Sequence, residues 1–289
     1  MPHPRTAALL LALSVLGSSC GLIRIEGGLP SGAEQAAAST VERPACEARP
    51  VKLTYRFDPA TTARDKQIMQ DAMRLARDHF PLIFPRFERY SYDDEGYICF
   101  PGHYTEPVTT TAEPPPDNRI AHYQPGFGIT VFVSSPWWRN APESYRYTIM
   151  FHEAYHWYQE LASKDETTLN GFRRTNPLWL VEGTAEWLAY EAAVEFDRYP
   201  DMEAIRSLLT PLVRYDGGEL KTFETRERDA SDAYPFFFTA VDRLIRDHGG
   251  LEALRSYWDF KDDDVSWKVI FQRSFGISVK KFYAELAAE

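Results

Sequence analysis

Between Leu178 and Leu188 the chain reads Leu-Trp-Leu-Val-Glu-Gly-Thr-Ala-Glu-Trp-Leu, an apolar run interrupted by two carboxylates. At helical spacing Glu182 and Glu186 lie one turn apart on a single face. Their neighbours are Trp, Leu, Val and Ala, so a carboxylate facing inward there must be paired or metal-bound, because an isolated buried charge is very costly. The bland alternative is a solvated acidic stripe on an amphipathic helix. Any fold that buries this helix has to bring a cation or a donor to those two positions.

Upstream, Tyr145 to about Ser163 has a long helical pattern, and within it lies His152-Glu153-Ala154-Tyr155-His156. The i, i+4 spacing stacks two imidazoles on one face. As neutral rings they can fill two positions of a tetrahedral zinc ion. Glu153, beside the first histidine, can reach water at such a metal as a general base. Glu182 is the candidate third ligand. Glu186 is placed to accept a hydrogen bond from the remaining ring nitrogen of a bound histidine and so fix its tautomer. The bland reading of the pentapeptide is a helix with two satisfied histidines and a solvated glutamate. His79, His103, His122 and His248 are isolated and read as surface or core histidines. Asp262-Asp-Asp264 lacks the spacing and distant glutamate of a calcium loop and reads as a solvated helix start.

His-Glu-x-x-His followed by Trp-Leu-x-Glu-Gly-x-Ala-Glu resembles the gluzincin branch of zinc metallopeptidases, in particular the bacterial peptidase MA-like group. The resemblance covers roughly residues 129–289. It implies a zincin-like α+β fold, with His152, His156 and Glu182 as ligands of one zinc ion and Glu153 as base. In such enzymes the strand before the metal helix offers an edge to an extended peptide, and Ile129–Val133 stands in that place. The stretch from Asp232 to Gly249 resembles the family's helix that begins with a tyrosine, which implies Tyr234 as a donor to the oxyanion; a core aromatic, or Tyr215 in that role, stays open. Phe271–Phe282 resembles the closing helix pair. Trp137-Trp138 reads as core, with a cleft wall as the alternative.

The rest of the chain frames this site. A net charge of −10 leaves no basic excess to neutralise phosphates, which argues against nucleic acid as a partner. Val51–Phe57 alternates like a strand, 62–80 has helical spacing ended by Pro81, and Tyr97–Phe100 suggests part of a strand pair. From Asp201 onward the pattern is helical, broken near Asp216–Gly218 and at Gly249-Gly250. Strands thus gather in the first half and helices in the second, an α+β arrangement. The expectation is a small N-terminal β-containing subdomain, the metal-site helices, and a helical C-terminal half.

Residues 1–20 join Arg5, an apolar run too short to span a bilayer, and Leu16-Gly17-Ser18-Ser19-Cys20. That end resembles the lipobox of bacterial lipoproteins, although Gly17 holds the place where leucine is usual. It implies export with Cys20 lipidated, or simple secretion. Residues 21–49 read as a flexible tether and 50–289 as the metallopeptidase domain. Of the three cysteines, Cys46 and Cys99 then remain for one disulfide, or for two unpaired thiols. The sequence therefore leads to an exported zinc peptidase acting on a peptide or protein, its only membrane contact the lipid. The competing reading is an inactive zinc-bound surface lipoprotein used for binding or assembly. Nothing in the sequence specifies an oligomeric state.

Overall fold

The computed structural model describes residues 53–83, 107–115, 119–124, 128–162, 176–215, 217–225, 230, 232–259 and 265–288. Its strands are β1 (Thr54–Arg56), β2 (Pro107–Thr111), β3 (Ala121–Gln124) and β4 (Gly128–Phe132). Its helices are α1 (Ala63–Ile83), α2 (Pro136–Asn140), α3 (Glu143–Ala162), α4 (Leu178–Glu195), α5 (Met202–Leu209), α6 (Tyr234–Asp247), α7 (Gly250–Trp258), α8 (Trp267–Phe275) and α9 (Val279–Leu286). All strands precede residue 133, and the chain beyond it is helical among the described residues, as the α+β reading expects.

Helix α4 decides the architecture. It is mostly apolar and is buried on every side from Leu178 to Tyr190, which makes it the central helix. Helix α3 packs along one side of it and α6 along the other, with α1 behind α3. Gly183 lets α6 come close: a Cβ there would stand 2.6 Å from the carbonyl oxygen of Phe237 and 2.9 Å from Val241 Cγ2. Buried Asp242 locks the same interface, accepting from Trp187 Nε1 at 3.0 Å and pairing with Arg206 and Arg246. Asp65 does the corresponding work for α1, taking Trp138 Nε1 at 3.1 Å and Arg146 Nη1 at 2.8 Å. Trp138 is therefore core, as the sequence suggests.

The sheet has the order β1-β2-β4-β3, with β1, β2 and β4 parallel and β3 antiparallel to β4. This corrects the edge-strand expectation. The strand just before helix α3, Gly128–Phe132, is enclosed between β2 and β3, and among the described residues the edge beside α3 is β3. A chain order cannot reveal this, because β4 turns back from β3 and inserts between it and β2, leaving the earlier strand outside. Two boundaries also move. Helix α1 continues past Pro81 to Ile83: proline lacks only the one N–H that would bond the carbonyl of residue 77, and the helix ends two residues later. The break at Gly249-Gly250 holds, with φ of +96° and +69°, a region that favours glycine.

No separate N-terminal subdomain core is formed by the described residues: Ile68, Met69 and Ala76 of α1 belong to one hydrophobic cluster with Phe282 and Leu286 of α9. Cys20, Cys46, Cys99, His103, the 97–100 segment, Asp262–Asp264 and the whole leader and tether lie outside the described residues. No helix among those described is long and apolar enough to cross a membrane.

Candidate metal centre

The two histidines and the carboxylate come from neighbouring helices, α3 and α4, that face each other along their lengths. His152 Nε2 and His156 Nε2 are 3.0 Å apart, and Glu182 Oε2 lies 3.4 Å from the first and 3.1 Å from the second. These three residues form a group able to hold a metal ion. Ligands on a tetrahedral ion at about 2.0–2.1 Å stand roughly 3.3 Å from one another, so the spacing suits such an ion. All three side chains are buried.

The outer ring nitrogens show which lone pairs converge. His152 Nδ1 meets Glu186 Oε2 at 2.9 Å, and His156 Nδ1 meets Gln159 Oε1 at 2.8 Å. A carboxylate only accepts, so His152 carries its hydrogen on Nδ1. The orientation of the Gln159 amide follows similarly: its Nε2 donates to the carbonyl of Val181 at 2.8 Å, which leaves Oε1 to accept from His156. In the neutral rings both Nε2 lone pairs therefore point at Glu182 Oε2, an arrangement that a proton or a metal ion at the centre could satisfy. Glu182 Oε1 and Glu186 Oε1 are buried with no hydrogen-bond partner among the described residues, which again suits a charge held nearby.

Electrostatics gives the same answer. Glu153, Glu182 and Glu186 are at most 5% exposed, so three acidic side chains are gathered in one buried site with the two imidazoles. Burial alone opposes a charged His152. Its hydrogen bonds to Glu182 and Glu186, with the charges of Glu186 and Glu153, outweigh that and push it up to about 10. Glu182 is held well below the usual carboxylate range: burial works against this, and the His156 charge and the bonds to both histidines prevail. Both directions favour positive charge between the imidazoles and Glu182, where the group could hold a metal ion.

Beside the three converging atoms a pocket is lined by Tyr145, Thr148 and Ile149 of α3, with His152, Glu153, Glu186 and Tyr234. Glu153 faces this pocket and accepts from the backbone amide of Tyr123 at 2.6 Å. Tyr234, first residue of α6, brings its hydroxyl within 3.3 Å of Glu182 Oε2 and its ring within 5.7 Å of the His152 ring. The structure thus gathers every residue the sequence singled out at this site. Tyr215 does not line the pocket; it donates to Asp232 and stacks on Phe236. The solvated-stripe reading of Glu182 and Glu186 is excluded by their burial.

Two contributors escape the sequence reading. Gln159 follows His156 by three residues, a spacing that places it on the same face and marks it as findable. The Tyr123 amide has no residue-type signature at all. Gln159 also joins the two metal-site helices, because Val181 immediately precedes Glu182. Gln159→Leu keeps the volume but removes both bonds. Metal affinity is expected to fall about 10–100-fold, measured by competition with a chelator. Unchanged affinity would show that His156 needs no outer partner.

Compared with protein-family models, curated proteins and solved structures, the chain matches none.

Proposed function

We propose that the protein is a zinc-dependent peptide hydrolase of the gluzincin type, exported and tethered by a lipid on Cys20. The observation that carries this reading is the convergence of two oriented imidazoles and one carboxylate beside a pocket containing a fourth, non-ligating acid, Glu153. Two nitrogens and one oxygen, with a fourth direction open, are the donor set of a catalytic rather than a structural zinc site. Bound there, zinc supplies Lewis acidity to water and to a peptide carbonyl.

The chain's own groups complete the chemistry. Glu153 takes the proton of the attacking water and delivers it to the leaving amine nitrogen. Tyr234 donates to the oxygen that gains charge in the transition state, a contribution of about 3 kcal/mol for donors of this kind. Glu186 and Gln159 hold the two imidazoles in the tautomer that leaves Nε2 available. An extended peptide is received along the β3 edge, where backbone pairing fixes its register against the pocket.

Elemental analysis of the purified protein tests the site. About one zinc per chain is expected in the wild type, and loss of that zinc in Glu182→Ala after dialysis. A peptide-library digest tests the activity: cleavage should stop with a chelator and return with zinc. A folded wild type that takes up no zinc on reconstitution would sink the reading. Zinc without any cleavage would leave the binding-module reading in its place.

A further inference from the structure

We propose that the backbone amide of Tyr123, on the outer edge of β3, is the group that orients Glu153 for proton transfer; this rests on the peptide-hydrolase reading. Pairing in the sheet shows where that amide points. Phe132 donates to the carbonyl of Ile120, and Ala121, His122, Tyr123 and Gln124 lie opposite Val131, Thr130, Ile129 and Gly128. In an antiparallel pair alternate residues exchange bonds with the partner strand. Counting from the bonded pair Ile120 and Phe132, His122 and Gln124 turn their backbone groups toward β4, while Ala121 and Tyr123 turn theirs away. The Tyr123 amide is directed off the sheet, toward α3, and meets Glu153 Oε2 at 2.6 Å.

A carboxylate buried to 1% exposure next to the metal ligands needs such an anchor. Without it, Glu153 is free to rotate about its last bond or to turn toward the His152 side of the site. With Oε2 held, Oε1 becomes the oxygen that receives the proton, and its position is set by the strand rather than by the helix. One strand then does two things: its edge receives the substrate backbone and its amide aims the base. Docking geometry and proton-transfer geometry are therefore fixed by the same element.

Because the donor is a main-chain group, ordinary side-chain substitutions at residue 123 leave it in place. Tyr123→Ala removes the side chain and keeps the amide, and so serves as the reference. Tyr123→Pro removes the amide hydrogen too, and proline is tolerated on an edge strand when its nitrogen faces away from the partner. The experiment compares kcat, KM, zinc content and melting in these two variants. Replacing Tyr123 by its α-hydroxy acid, which exchanges only the amide N–H for an ester oxygen, gives the same reading if the proline variant does not fold.

The expected result is a kcat about 10–100-fold lower in the proline variant than in Tyr123→Ala, the loss for one hydrogen bond to a charged group. The ester is expected to show the same loss against wild type. KM should stay within about 3-fold and zinc content should not change, a split that general loosening of the strand would not produce. Equal kcat with and without the amide overturns the proposal, as does a loss confined to KM or to zinc. The contact is read apart from activity by NMR of protein carrying ¹⁵N-tyrosine. The Tyr123 amide proton should lie downfield and move upfield in Glu153→Ala. A wild type that cleaves no peptide overturns the functional reading and this role with it, yet leaves the NMR contact intact, so the two failures are told apart.

Discussion

Glu153→Gln is expected to keep its metal and lose peptide hydrolysis, with kcat about 10²–10⁴-fold below wild type. The substitution is nearly isosteric, and its carbonyl oxygen can still accept from the Tyr123 amide where Glu153 Oε2 does now. What disappears is basicity. Glu153 is not one of the three residues whose atoms converge, so the metal group is untouched. Zinc content measured beside steady-state kinetics separates the two roles. Wild-type turnover in this variant would remove Glu153 from the mechanism, whereas loss of zinc would make it a ligand after all.

Gly183→Ala is expected to weaken both fold and site, although alanine is the better helix former by about 1 kcal/mol. The added methyl meets backbone, at 2.6 Å from Phe237 O and 2.9 Å from Phe237 C, so no rotamer change relieves it. Helix α6 has to move off α4. Overpacking of this kind costs about 1–3 kcal/mol and here falls at the upper end. After the propensity gain, a net loss of about 1–2 kcal/mol lowers the melting temperature by roughly 2–8 °C. The displacement acts where it matters, since Gly183 adjoins Glu182 and Phe237 lies one turn beyond Tyr234. Zinc affinity, measured by chelator competition, should drop about tenfold as well. A variant with wild-type melting and zinc affinity would mean the two helices are not as close as the structure places them.

Both predictions turn on short-range features whose consequences are long-range, and the legibility of the molecule divides in the same way. The i, i+4 periodicity of a helix is a local property, so the pairing of His152 with His156 and of Glu182 with Glu186 could be read from spacing alone. The apolar surroundings of Glu182 likewise foretold burial, and the structure finds it 1% exposed. Helix α3 was legible to within a few residues for the same reason. Less legible was the end of α1, where Pro81 stands in the last turn and does not end the helix at once.

The sequence by itself determined which residues share a helix face, and that a carboxylate of Leu178–Leu188, if turned inward, would have to be paired or metal-bound. Only the tertiary structure decided which carboxylate meets which imidazole: Glu182 lies at both Nε2 atoms, and Glu186 at the far nitrogen of His152. It also decided that β3 rather than β4 forms the edge, and that Gln159 reaches across to Val181. The use of the Tyr123 amide for Glu153 was decided there too. The physical reason is common to all of these. Local geometry follows from backbone dihedrals that each residue carries with it. Contacts between elements depend instead on how closely helices and strands approach, which here rests on a missing methyl group at Gly183 and on main-chain donors that every residue but proline possesses.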